Sequence, residues 1–158
     1  MSTIRYTTEF AASPEAVFPF LEDSDKVKQW MIGVLEDRPT SEPPTRVGST
    51  FEMDIKEGGK VVTYQGEVTK YEKNQLMAVR LVGGCGKTPM TMHAEYALSR
   101  KPGGGTRLDY TCTAEMPTGF LFKLMAPLFR IFGRVMVKKF MKNLRGLVDG
   151  NAMAAGAS

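Results

Sequence analysis

Apolar and polar residues alternate along most of this chain, and only the last third repeats at helical spacing. Ile4, Tyr6, Thr8 and Phe10 fall on one side of a predicted first strand, with Arg5, Thr7 and Glu9 on the other. Ser13-Pro14-Glu15 then supplies an N-cap, a proline at N1 and an early acid, starting a short helix that carries Val17, Phe18, Phe20 and Leu21. Asp23-Ser24 restarts a second short helix towards Trp30. A strand is expected over 31–35, and then a loop over 38–45, too rich in proline for sheet or helix. Alternation returns over 50–56, 61–72, 76–82, 90–99 and 106–115, with glycine- or asparagine-bearing turns at 57–60, 73–74, 83–86 and 102–105.

The segment 117–150 changes period. Wound at about 100° per residue, Phe122, Met125, Phe129, Phe132, Met136, Phe140 and Leu147 share one face. Lys123, Arg130, Arg134, Lys138, Lys142 and Arg145 lie roughly opposite, while Leu124, Ile131, Val135 and Val137 fall beside those cations, off the main stripe. With Thr118 as N-cap and Gly150 as the terminal left-handed residue, a helix over 118–148 spans about 46 Å. Pro127 predicts a kink or break near Met125 or Ala126. The order is strand, two short helices, six strands on tight turns and one long helix. Such short links favour an antiparallel sheet, and only the last helix is large enough to cover it: an α+β fold.

At 158 residues the chain has room for one core, placed here at 1–150 with a disordered tail at 151–158. Its charge is regional: the chain is +4 overall, yet 117–150 holds seven Lys or Arg against the single acid Asp149, so the remainder is net acidic. A basic helix face is a solvated surface or a site for an anionic membrane or a partner. Nucleic acid is not expected as a partner, because the basic residues are not interleaved with stacking aromatics. The first residues lack the apolar run of a signal peptide, and no uncharged apolar stretch is long enough to span a bilayer, so a cytoplasmic protein is expected. Cys85, Cys112 and one histidine make no metal-ligand set, and no cofactor is expected.

The motif Phe10-Ala11-Ala12-Ser13-Pro14-Glu15-Ala16-Val17-Phe18 with Leu21 and Trp30, and Val47-Gly48-Ser49-Thr50-Phe51, carry a family resemblance. Gly66-Glu67-Val68, Gly104-Gly105-Thr106-Arg107-Leu108 and the final helix extend it along nearly the whole chain. The chain resembles the START-like, or SRPBCC, superfamily, in particular its bacterial polyketide cyclase/dehydrase-like branch. That resemblance implies a helix-grip fold, a curved seven-stranded antiparallel sheet around the long helix, with a ligand held between them. It specifies chemistry weakly, since this scaffold hosts carriers, receptors and enzymes.

Combined with the alternation, the resemblance gives a candidate cavity lined by Tyr6, Phe10, Trp30, Phe51, Met53, Tyr64, Met92, Tyr96, Leu108 and Tyr110, and by Phe122, Met125, Phe129, Phe132 and Met136 of the helix. The same residues would equally make a filled core. Arg80 sits in a run that is apolar on both phases, so it either enters the cavity to meet an anionic ligand or faces solvent. His93 alternates with Met92 and Ala94 and is expected to point outward, as are Glu52, Asp54, Glu67, Glu95 and Asp109. No nucleophile–base set or inward pair of acids can then be assembled, and catalytic residues are left unassigned. Gly86-Lys87-Thr88 is not a phosphate loop, because Leu81 stands where its first glycine belongs. Three functions stay open: a binding or carrier protein for a hydrophobic lipid, polyketide or aromatic molecule; a cyclase or dehydratase; and a peripheral membrane lipid binder using the basic helix, with a homodimer as a further use of that face.

Overall fold

The computed structural model describes residues 2–57, 59–84, 89–115 and 120–156; in the last segment it describes the side chains of 124, 127, 128 and 130–150. The order is β1 (Ser2–Phe10), α1 (Pro14–Glu22), α2 (Ser24–Trp30), β2 (Val34–Pro39), β3 (Thr50–Glu57), β4 (Lys60–Glu72), β5 (Leu76–Gly83), β6 (Met90–Arg100), β7 (Thr106–Glu115) and α3 (Phe120–Gly156). The strands form one antiparallel sheet of seven, in the order β1-β7-β6-β5-β4-β3-β2. This curved sheet with a long C-terminal helix is the α+β helix-grip fold.

Local chemistry fixes the joints. Asp23 closes α1 through its N–H to the Pro19 carbonyl, and its Oδ1 accepts the Asp25 N–H at 2.9 Å to open α2. At the β6–β7 turn Gly105 has φ +89°, and a Cβ there would stand 2.6 Å from the Phe10 carbonyl oxygen. Only glycine suits both demands. The buried Thr106 hydroxyl donates to the Ala12 carbonyl at 2.7 Å and ties this turn to the start of α1.

Two elements depart from the sequence expectation. β2 covers Val34–Pro39 instead of 31–35, running into the stretch read as loop, with a bulge between Val34 and Glu36. An outermost strand tolerates Pro39 because its open edge needs no N–H. α3 is helical without interruption through Pro127 and continues past Gly150 to Gly156, so neither residue ends it. Thr118, the expected cap, and residues 157–158 lie outside the described residues.

The buried face of α3 is also rotated from the expected stripe. Val137, Met141, Leu144 and Val148 are buried, with Phe140 and Leu147 packed beside them, whereas Phe132 is 64% exposed. Gly133 sets this rotation: a Cβ there would lie 2.5 Å from Cδ1 of Ile4 on β1. Farther on, Asp149 Oδ1 accepts the Ala11 N–H at 3.1 Å. The 16 residues from Gly133 to Asp149 rise about 24 Å, as do the seven from Ile4 to Ala11 in a strand. The helix therefore runs alongside β1, and its first turns continue beyond the start of that strand.

Candidate functional site

Register places the inward residues in rows across the sheet. One row is Tyr6–Tyr110–Tyr96–Met77–Tyr71, from β1 through β7, β6 and β5 to β4. The rings of Tyr96 and Tyr110 lie 5.1 Å apart, and Trp30 of α2 meets Tyr96 edge-on at 6.4 Å. On one side of this row the interior is filled by Leu98, Leu108 and Phe10, all buried. On the other side the next row is Ile4–Cys112–Ala94–Val79–Val68, and the one after it contains Ala114, Met92, Leu81, Gly66 and Phe51. Ala94, Cys112 and Ala114 are too short to reach the helix, so a cavity of about 900 Å³ opens above them. Its remaining walls come from Trp30, Met31 and Val34, and from Gly133, Met136, Val137 and Phe140 of α3. Gly66 makes room for the wall: a Cβ there would stand 2.3 Å from the Phe51 ring, which covers it and faces the cavity in its place.

Of the expected cavity residues, Trp30, Phe51, Met53, Tyr64, Met92, Tyr96, Tyr110 and Met136 line this space. Phe10 and Leu108 are instead part of the filled end, and half-buried Tyr6 sits in the tyrosine row off the cavity wall. Phe132 faces outward because α3 presents Gly133 and Val137 to the sheet. The side chains of Phe122, Met125 and Phe129 lie outside the described residues, as do Cys85 and Gly86-Lys87-Thr88.

Arg80 does not enter the cavity. The inward phase of β5 is Met77, Val79 and Leu81, so Arg80 stands on the convex face, opposite Glu67 and His93, with its guanidinium 3.5 Å from Glu67. His93 is exposed there, its Nε2 3.6 Å from Glu115. Glu52 and Asp54 pair with Arg38 at 3.2 and 2.7 Å, Glu95 with Lys70 at 2.8 Å, and Asp109 with Arg107 at 3.2 Å. Thr7 and Arg107 hold the Asp109 carboxyl below its usual range.

The cavity nevertheless contains carboxylates that alternation alone does not reveal. The bulge in β2 turns Asp37 inward, level with Met53 and, one strand on, Tyr64. Burial pushes its carboxyl up to about 6 from an ordinary 3.8, and its Oδ1 is buried with no hydrogen-bond partner among the described residues. Glu57, also on the wall, accepts the Tyr64 hydroxyl, and Glu22 accepts the Tyr71 hydroxyl at 2.5 Å. Burial raises the phenols of Tyr96 and Tyr110 and the Cys112 thiol above their usual values, so all three stay protonated at neutral pH. Among the described residues no three His, Cys, Asp or Glu side chains gather at metal-binding range. The site is thus an apolar chamber with hydroxyls on its tyrosine side and acids at its β2 edge and two ends.

The mycobacterial relatives, uncharacterized proteins of Mycobacterium tuberculosis and Mycobacterium bovis, are 27% identical over 160 residues, covering 98% of this chain and 89% of theirs. A conserved protein from Geobacillus kaustophilus superposes with a TM-score of 0.77 at 16% identity, over 93% of this chain and 95% of its own. A START superfamily protein from Mycobacterium smegmatis superposes with a TM-score of 0.72 at 14% identity, over 94% and 97%. At such identities the two structures speak for the fold alone. The family model described as "Polyketide cyclase / dehydrase and lipid transport" matches residues 1–149, so with this sheet, grip helix and chamber the chain belongs to that START-like family.

Proposed function

We propose that this protein binds and carries a hydrophobic small molecule, held between the sheet and α3. The observation that carries this reading is the chamber of about 900 Å³ above Ala94, Cys112 and Ala114, within the size range of small-molecule sites. Methionines on its wall, Met53, Met77, Met92 and Met136, can adapt to ligand shape. An environment-sensitive apolar dye is expected to bind saturably and to be displaced by long-chain or polycyclic compounds. Native mass spectrometry of freshly purified protein should show retained ligand as added mass. Absence of saturable dye binding ends this reading.

A second reading, that the carrier collects its cargo at an anionic membrane, is favoured by the overhanging part of α3. Leu124, Leu128, Ile131, Phe132 and Val135 are 48% to 68% exposed there, beside exposed Arg130, Arg134 and Lys138. No helix of the described residues is long and apolar enough to cross a membrane. Surface contact through these residues predicts co-sedimentation with anionic vesicles that weakens as salt rises. Binding equal to neutral and anionic vesicles, or none at low salt, removes this reading, and light scattering shows whether a second copy covers the face instead.

A further inference from the structure

We infer that Asp37 makes the chamber selective for apolar molecules ending in a cationic hydrogen-bond donor, an alkyl or aryl amine, and excludes fatty-acid carboxylates. This rests on the carrier reading and adds the chemical class of the cargo. The argument is one of unmet demand. Asp37 lines the wall, yet its buried Oδ1 accepts nothing among the described residues. A buried carboxylate without a donor is costly, and a ligand that brings one recovers that cost.

The surrounding charges do not satisfy it. Lys28 of α2 acts on Asp37 from a distance, but its ammonium lies 3.7 Å from Asp25 and 3.5 Å from Glu36. Arg38, the next residue on β2, points the other way and is held by Asp54 and Glu52. Asp23, the N-cap of α2, and Asp25 within it add negative charge nearby, and Tyr96 of β6, a buried phenol, senses the charge of Asp37. Elsewhere on the wall Glu57 and Glu22 are already engaged by Tyr64 and Tyr71. Among the described lining residues the only Lys or Arg is Lys56, and it is exposed. A ligand ammonium therefore meets a carboxylate in a weakly polar setting, while a ligand carboxylate meets acids and no buried cation. In the proposed complex the Asp37 carboxyl turns about its Cβ–Cγ bond to offer an oxygen to the ligand.

Dodecylamine, dodecanol and dodecanoate share a chain length and differ in the head, so they separate the contributions. Each is titrated below its aggregation limit against a neutral apolar dye bound to the full chain at about pH 7.5. Dodecylamine is expected to displace the dye at a concentration lower than dodecanoate by about tenfold or more. Asp37→Asn should erase most of that advantage, while dodecanol, whose hydroxyl can donate to the asparagine side-chain oxygen instead, still displaces the dye and so shows that the variant folds. In the parent protein the amine's advantage over dodecanol should shrink at about pH 5, where Asp37 takes up its proton. If dodecanol displaces the dye but the amine and dodecanoate match, or if Asp37→Asn leaves their ratio intact, the carrier reading survives and this inference falls. If none of the three displaces the dye, both fall.

Discussion

The two sides of the tyrosine row use the same sheet and the same helix, yet one is filled and the other open. On the filled side Leu98, Leu108 and Phe10 are buried in the same core as Met141, Leu144 and Val148 of α3. On the open side the inward positions shrink to Ala94, Cys112 and Ala114, and α3 moves on past the strand it follows. Close packing and open space are thereby divided by position along one helix. The difference lies in side-chain volume at a few registered sites, since the backbone pairing is continuous across both sides.

The contrast is broken most sharply by truncation at its two ends. Leu144→Ala should lower unfolding stability by about 2–5 kcal/mol, because a fully buried side chain leaves a void, while Phe132→Ala should change it by less than about 0.5 kcal/mol. Denaturant melts of both variants measure the gap; similar losses would contradict the packing described here. Next in size is Gly66→Ala, whose methyl would stand 2.3 Å from the Phe51 ring, forcing it to move at a cost of about 1–3 kcal/mol. Dye affinity should drop with it.

Filling the open side sharpens the contrast instead. Ala94→Phe places a ring in the chamber, so dye affinity should fall by about tenfold or more while the denaturant midpoint stays near that of the parent. A large stability loss with intact binding would mean that the space above Ala94 is not the binding site. The smallest effect belongs to Asp37. Its raised carboxyl holds a proton more tightly folded than unfolded, so it weakens the fold increasingly as pH climbs from about 4 to about 6, and fully above that. Asp37→Asn should therefore gain stability over the parent across that window, levelling at about 1 kcal/mol after allowance for solvent near the carboxyl. Melts at several pH values between 4 and 8 test the sign.

Strand phases were legible in the sequence because a half-buried strand writes its two faces as alternating letters, as Met92, Ala94 and Tyr96 do against His93 and Glu95. The facing of α3 was not, since apolar residues surround its first half and blur the stripe. The spacing of Gly133, Val137, Met141, Leu144 and Val148 was the signal that marks its true face. Arg80 stayed ambiguous because β5 is apolar on both phases, and Asp37 was hidden by a bulge in a strand that ends in proline. The cavity floor becomes visible only when register aligns Ala94 with Cys112 and Ala114 with Met92. Each of those residues alone reads as ordinary strand.

The chain's single tryptophan stands on the wall of the chamber, 1% exposed, with its indole N–H donated to the Phe20 carbonyl at 2.8 Å. Tyr96, 6.4 Å away, absorbs where it can pass excitation to that indole. The protein thus carries its own optical probe. A cargo that enters should shift or quench Trp30 emission without any added label, whereas a partner that covers only the overhang of α3 should leave it unchanged.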